Sequence, residues 1–164
     1  MHSKIYNLEE VNSRYINDAN NENAIEERMF NNGQADYVTE DRGKDKEDAK
    51  TWLKEYWNRN GLPVEETEKD VLVLKKEDIK KYLKRYAENT QKKINEIFAK
   101  EETISAVMAK MSLMINNFGG YWFISEDYTE MPEVEWLEMQ MNNTNNANEE
   151  EIKLKLVHAY DYHF

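Results

Sequence analysis

The sequence predicts an α+β fold: N-terminal helices, one long central amphipathic helix plus a second helix, and a C-terminal antiparallel three-stranded meander. Three observations predict it. Apolar residues between positions 76 and 115 recur at helical spacing. "NNFGG" at 116–120 ends that pattern with two glycines, which terminate helices readily. Beyond them the apolar period falls from 3.6 to 2, the spacing of strands with one buried face. Helices first and strands later are the mark of an α+β arrangement.

In chain order, residues 1–44 are polar and asparagine-rich, with "NDANNEN" at 17–23. They predict an N-terminal polar arm holding two short helical pieces, over 8–16 and 23–30. Gly33 stops the second, and 34–45 form a loop. Residues 45–164 are expected to form a compact α+β domain, one domain overall. In "DKEDAKTWLKEYWNRNG", Asp45 or Asp48 can cap a helix, and Trp52, Leu53, Tyr56 and Trp57 form one apolar stripe. Gly61 lies just past its end and Pro63 forbids continuation. "DVLVL" at 70–74 is a strand or the lead-in to the next helix.

The long amphipathic helix spans 76–100, with Ile79, Leu83, Tyr86, Ile94, Ile97 and Phe98 on its apolar side. Residues 101–103 mark a break, and a second helical run carries Ile104, Val107, Met108, Met111, Met114 and Ile115, with its methionines as core filler. "YWFIS" then predicts a strand, "EDYTEMP" a turn, "EVEWLEMQM" a second strand and "NNTNNANEE" a loop. "IKLKLVHAYDYHF" alternates best: Ile152, Leu154, Leu156, His158, Tyr160, Tyr162 and Phe164 share one face of a single strand.

A chain of 164 residues can bury roughly 68–70% of its unfolded surface and needs neither disulfide nor metal to fold. Ten Tyr, five Phe and four Trp are too many aromatics for a disordered chain. The absence of cysteine excludes thiol catalysis, disulfide scaffolds and Cys zinc sites. No apolar run approaches a membrane span or a secretory leader, so the expected location is the cytoplasm of a host cell. Nineteen asparagines point to an AT-rich coding sequence.

The net charge of −11 is concentrated rather than spread. Residues 111–152 hold nine acids and no Lys or Arg, while 45–110 are nearly balanced. Within the base-free window, "SEDYTEMPEVEWLEMQM" supplies Glu126, Asp127, Glu130, Glu133, Glu135 and Glu138 among aromatic residues. If Val134 and Trp136 faced the helices, strand alternation would turn Glu133 and Glu135 outward, beside the acids of the turn. Such a ridge approximates the charge density of duplex DNA, one per ~1.7 Å of axis. Its expected partner is a protein with a basic, nucleic-acid-binding groove, with Tyr128, Trp136 or Tyr121 as packed anchors. A solvated sheet face protected against edge pairing is the competing reading.

Other chemistry has weaker support. A glycosidase-like carboxylate pair needs a buried Glu, which nothing in the sequence singles out. His158, Asp161 and His163 are metal-competent types, but a strand places His158 opposite the other two. No metal or cofactor is therefore expected. Lys76, Lys80 and Lys84, with Lys81, Arg85, Lys92 and Lys93 nearby, could track phosphates, yet Glu77, Asp78, Glu88 and Glu96 dilute the field. That helix could instead neutralise part of the acidic sheet. Direct nucleic-acid binding is not expected of so acidic a chain. Walker-type and G-x-S-x-G motifs are absent.

Small, acidic, cysteine-free, asparagine-rich and charge-segregated, the chain is similar in character to phage-encoded inhibitors of host defence. These include anti-CRISPR and anti-restriction proteins that mimic nucleic acid. The resemblance is one of composition and carries over no residue. The expected function is thus non-enzymatic: an inhibitor from a phage or mobile element that engages a basic groove through its acidic meander. The alternatives are a self-associating phage structural or assembly protein, joined through the N-terminal arm or the Met-rich helix, and a small hydrolase using Glu or His.

Overall fold

β1 (His2–Glu10) lies inside a seven-stranded mixed sheet. The computed structural model describes residues 2–11, 22–31, 37–67, 71–115, 121–125, 129–143 and 149–163. Its elements follow the order β1, α1 (Glu22–Asn31), β2 (Tyr37–Glu40), α2 (Lys44–Arg59), β3 (Glu65–Thr67), β4 (Val71–Lys75), α3 (Lys76–Lys100), α4 (Ile104–Ile115), β5 (Trp122–Ile124), β6 (Glu130–Pro132), α5 (Glu133–Asn142) and β7 (Glu151–His163). The strand order is β3-β4-β7-β1-β5-β6, with β2 also pairing β7. β1 runs antiparallel to β7 and parallel to β5.

This overturns the expected fold of N-terminal helices followed by a three-stranded meander. The first 44 residues supply two strands of the sheet, one of them central. "HSKIYNLEE" conceals a strand because its buried positions include Ser3, Lys4 and Asn7. Such residues are tolerated inside when they find partners, and Lys4 has Asp41 at 2.6 Å. The helical piece expected over 8–16 is strand at Leu8–Glu10 and turn at Val11; residues 12–16 and Gly33 lie outside the described residues, as do the two terminating glycines at 119 and 120. The second expected helix is α1. The loop expected over 34–45 contains β2.

Two further corrections follow the helices: the turn expected over "EDYTEMP" ends in strand β6, and "EVEWLEMQM" is helix α5. Its buried residues are Glu133, Trp136, Leu137 and Gln140, spaced i, i+3, i+4 and i+7. Glu, Leu, Met and Gln favour helix, and Glu133 and Glu135 in the first turn suit the positive end of the helix dipole.

Each face of the sheet carries its own core. Under α2, α5 and the first turns of α3 lie Tyr6, Leu8, Leu53, Trp57, Leu74, Tyr82, Phe123, Trp136 and Leu154. Phe123 stacks against Trp136 and Trp57, with ring centroids 4.9 and 5.8 Å apart. Ile5, Ile25, Met29, Val38, Trp122, Tyr160 and Tyr162 form the second core, beneath α1. The β1–β7 register explains how one strand serves both. Asn7 opposes His158 but Leu8 opposes Leu156, which leaves Val157 as an extra, bulged residue. A one-residue shift exchanges the two faces, so Leu154 and Leu156 enter the first core while Tyr160 and Tyr162 enter the second. Lys46 of α2 donates to the bulge carbonyl of Val157 at 2.5 Å. The single face expected for the even residues of this strand is therefore split.

α2 covers the expected stretch but starts at Lys44 after Gly43, ahead of the expected caps Asp45 and Asp48, and Gly61 takes the left-handed φ of 75° just beyond its end. There the Arg85 guanidinium occupies the space a Cβ would need. The described residues of "DVLVL" are strand β4, which runs into α3 at Lys76 without a loop. At 25 residues α3 is about 37 Å long. Its buried residues are Ile79 and Tyr82, and further along Tyr86 and Phe98 are exposed. Thr103 caps α4 by accepting from the Ala106 amide at 3.2 Å, and α4 packs against α3.

Candidate interaction surface

The acidic ridge expected from the sequence divides between interior and surface. Glu126, Asp127 and Tyr128 lie outside the described residues. Glu130 on β6 is half-buried, Glu133 and Trp136 are buried, and Glu135 and Glu138 are exposed on α5. Helical spacing explains the split: three residues separate Glu133 from Trp136, so both face the sheet, whereas strand alternation would have separated them. Trp136 is fully buried and donates its indole N–H to the Ile124 carbonyl at 3.2 Å. It anchors the core rather than a partner. Tyr121 is half-buried between Tyr6 and Tyr56, with edge contacts at 5.4 and 4.7 Å.

Glu133 is the side chain whose environment departs most from expectation. Its Oε1 accepts from Trp57 Nε1 at 2.5 Å, and its Oε2 accepts from the hydroxyls of Tyr56 at 3.0 Å and Tyr82 at 3.1 Å. One carboxyl group thus fastens α2, α3 and α5 together. Burial pushes its pKa above the ordinary carboxylate value, and the three donors offset only part of that. The phenols of Tyr56 and Tyr82 are pushed up as well, first by burial and then by the charge of Glu133. The sequence singled out no buried Glu, although Pro132 followed by an acidic first turn was a signal for the helix that buries this one. With three donors in place, the carboxylate serves as a tie between elements.

The carboxylates left outside are Glu135 and Glu138, three residues apart on α5, and Glu149 and Glu150 before β7. Among the described residues none of these four makes an ion pair. Several carboxylates elsewhere are paired. Lys50 and Lys54 hold Glu66 at 3.2 and 2.8 Å, and these bonds lower its pKa. Lys81 pairs with Glu77 at 2.7 Å, and Lys84 lies 4.0 Å from Glu88. The basic side of α3 is thus partly neutralised along its own length. An open depression on α2 is lined by Thr51, Lys54, Glu55, Asn58, Arg59 and Glu66, a mixed set with no buried acid.

A second polar cluster joins β1, β2 and β7. His2 Nδ1 lies 2.7 Å from Asp161, and Lys4 Nζ lies 2.6 Å from Asp41, 3.5 Å from Asp161 and 5.5 Å above the Trp52 ring. Tyr37 stacks on His163 at 5.6 Å. Burial raises the Asp41 carboxyl and Lys4 counteracts this. On the opposite face His158 lies 2.7 Å from Glu40. Burial pushes Glu40 up, but His158 and Arg42 outweigh it and hold the carboxyl below its usual value. His158 is therefore separated from Asp161 and His163. Among the described residues no three metal-competent side chains come together, and no helix is long and apolar enough to cross a membrane.

The chain matches no protein-family model, no curated protein and no solved structure.

Proposed function

We propose that this chain is a non-enzymatic acidic binding protein that engages a cationic, nucleic-acid-binding surface of a partner protein. The contact is made by the outer carboxylates Glu135, Glu138, Glu149 and Glu150. A phage or mobile-element inhibitor of the anti-CRISPR or anti-restriction type is the kind of protein this describes. The observation that carries the reading is charge segregation: nine acids and no base over 111–152, with these four carboxylates outside and without ion pairs among the described residues. A surface of one sign speeds encounter with its complement and disfavours partners of like charge. Glu133 and Trp136 take no part, because both are inside.

Immobilised chain exposed to a nuclease-treated bacterial lysate, and eluted along a salt gradient, tests this. A nucleic-acid-binding protein should be retained after nuclease treatment and released by moderate salt. Substituting Glu135, Glu138, Glu149 and Glu150 together by Gln should abolish the capture. Retention that ignores salt, or that survives the fourfold substitution, would sink the proposal.

A further inference from the structure

The least expected surface lies on α4. In an acidic protein, α4 is the one described helix without an acidic residue, and its one charge, Lys110, is held by Glu101. Yet α4 faces solvent. Ile104 is 83% exposed and Met108 61%, and Phe98 at the end of α3 is 60% exposed. Ser105, Ala109 and Ser112 are exposed too, at i, i+4 and i+7, and they leave room for another backbone to approach. The seam with α3 is itself incomplete: Ile94, Ile97, Met111 and Met114 are only half-buried. Two packed helices without a third layer cannot cover their apolar sides.

We propose that α4 is the contact of a two-fold homodimer, with α4 of one chain lying antiparallel across α4 of a second copy. Charge favours a second copy over a foreign partner. Two chains of net charge −11 repel wherever their acids meet, and a contact through α4 brings no carboxylates of that helix together. A helix whose one charge is already paired offers a foreign partner little to steer by, whereas a face of low charge is complementary to itself. Area agrees. Phe98, Ile104 and Met108 expose on the order of 400 Å² per chain, about half of the ~800 Å² per partner in a stable interface. The small residues and the half-open seam beside them can supply the rest. A crossing centred on Met108 sets Ile104 of each copy against the 109–112 turn of the other. Being isologous, it closes at two chains.

Sedimentation equilibrium on the full chain, from about 1 to about 100 µM, is the test. The expected mass is twice 19.6 kDa. Ile104→Lys and Met108→Lys should each weaken dimerisation by about 100-fold or more. Because both side chains are exposed, the far-UV spectrum and unfolding midpoint of the monomer should be unchanged. The chain has no cysteine, so Met108→Cys reports cleanly: across the two-fold it should oxidise to a disulfide-linked dimer, while Glu96→Cys on α3 should not. A monomer at every concentration, an open-ended polymer, or a dimer indifferent to both lysine substitutions would overturn the proposal. The fourfold Glu-to-Gln variant at positions 135, 138, 149 and 150 should dimerise as well as the unmodified chain, so this inference and the proposed function can fail separately.

Discussion

Replacing Glu133 by Ala removes the acceptor shared by three donors on two helices. The Trp57 indole N–H and the Tyr82 hydroxyl lie in buried residues and cannot turn to water, so each costs about 1–3 kcal/mol when stranded. Tyr56 is half-buried and can be resolvated, so it adds little. Part of the cost is returned because a buried carboxyl no longer has to be desolvated. The net loss should be about 3 kcal/mol, a large share of the 5–15 kcal/mol typical of a domain. With a urea slope of about 2 kcal/mol per molar, the unfolding midpoint should fall by about 1.5 M. Glu133→Gln keeps an acceptor and should cost less, with a pH signature. The folded-state carboxyl is raised above its unfolded value, so its contribution is full below the unfolded value and is lost as pH rises through the folded one. Measured from about pH 4 to 8, the stability difference between the Glu133→Gln variant and the unmodified chain should therefore move in favour of the variant. An Ala variant within about 0.5 kcal/mol of the unmodified chain would refute the tie between helices.

Other expectations concern particular contacts. Lys4→Ala strands Asp41 inside the protein and should cost about 3–5 kcal/mol in urea melts; pairing it with Asp41→Asn should restore part of that, and strict additivity would argue against the ion pair. Trp57→Ala should cost about 3–5 kcal/mol, whereas Trp52→Ala, half-exposed over Lys4, should cost about 1 kcal/mol or less; equal losses would contradict the burial pattern. Deleting Val157 removes the extra residue yet leaves Leu156 opposite Leu8 and His158 opposite Asn7, so both halves of β7 keep their faces and the variant should still unfold cooperatively by near-UV circular dichroism; loss of cooperativity would argue against Val157 as the extra residue. Glu40 is held below its unfolded value, so its stabilisation is present above that value and lost as pH falls through the folded one; His158→Phe should flatten this acid limb of a melting-temperature profile.

Where local periodicity was strong, the sequence was sufficient. α2, α3, α4 and β5 lie where their apolar spacing places them, and β7 is the long strand its alternation predicts. Periodicity of 2 or 3.6 is a property of neighbouring residues and can be read without knowing what lies opposite. The acidic surface was only half legible, because the outward direction of each Glu depended on the type of element. For Glu133 the choice decides everything: a strand would expose it, and the helix buries it beneath α5 with Trp136.

By itself, then, the sequence determined the two successive helices α3 and α4, the segregation of charge into one base-free stretch, and the absence of thiol chemistry. Only the tertiary structure decided that the polar N-terminal stretch is a central strand, that β7 changes faces at Val157, and that Glu133 is inside. The physical reason is common to all three. Each depends on a partner distant in the chain: Asp41 for Lys4, the register of β1 for the bulge, and Trp57 and Tyr82 for the carboxyl. Such partners lower the free energy of burying a polar group, and no pattern among adjacent residues records them.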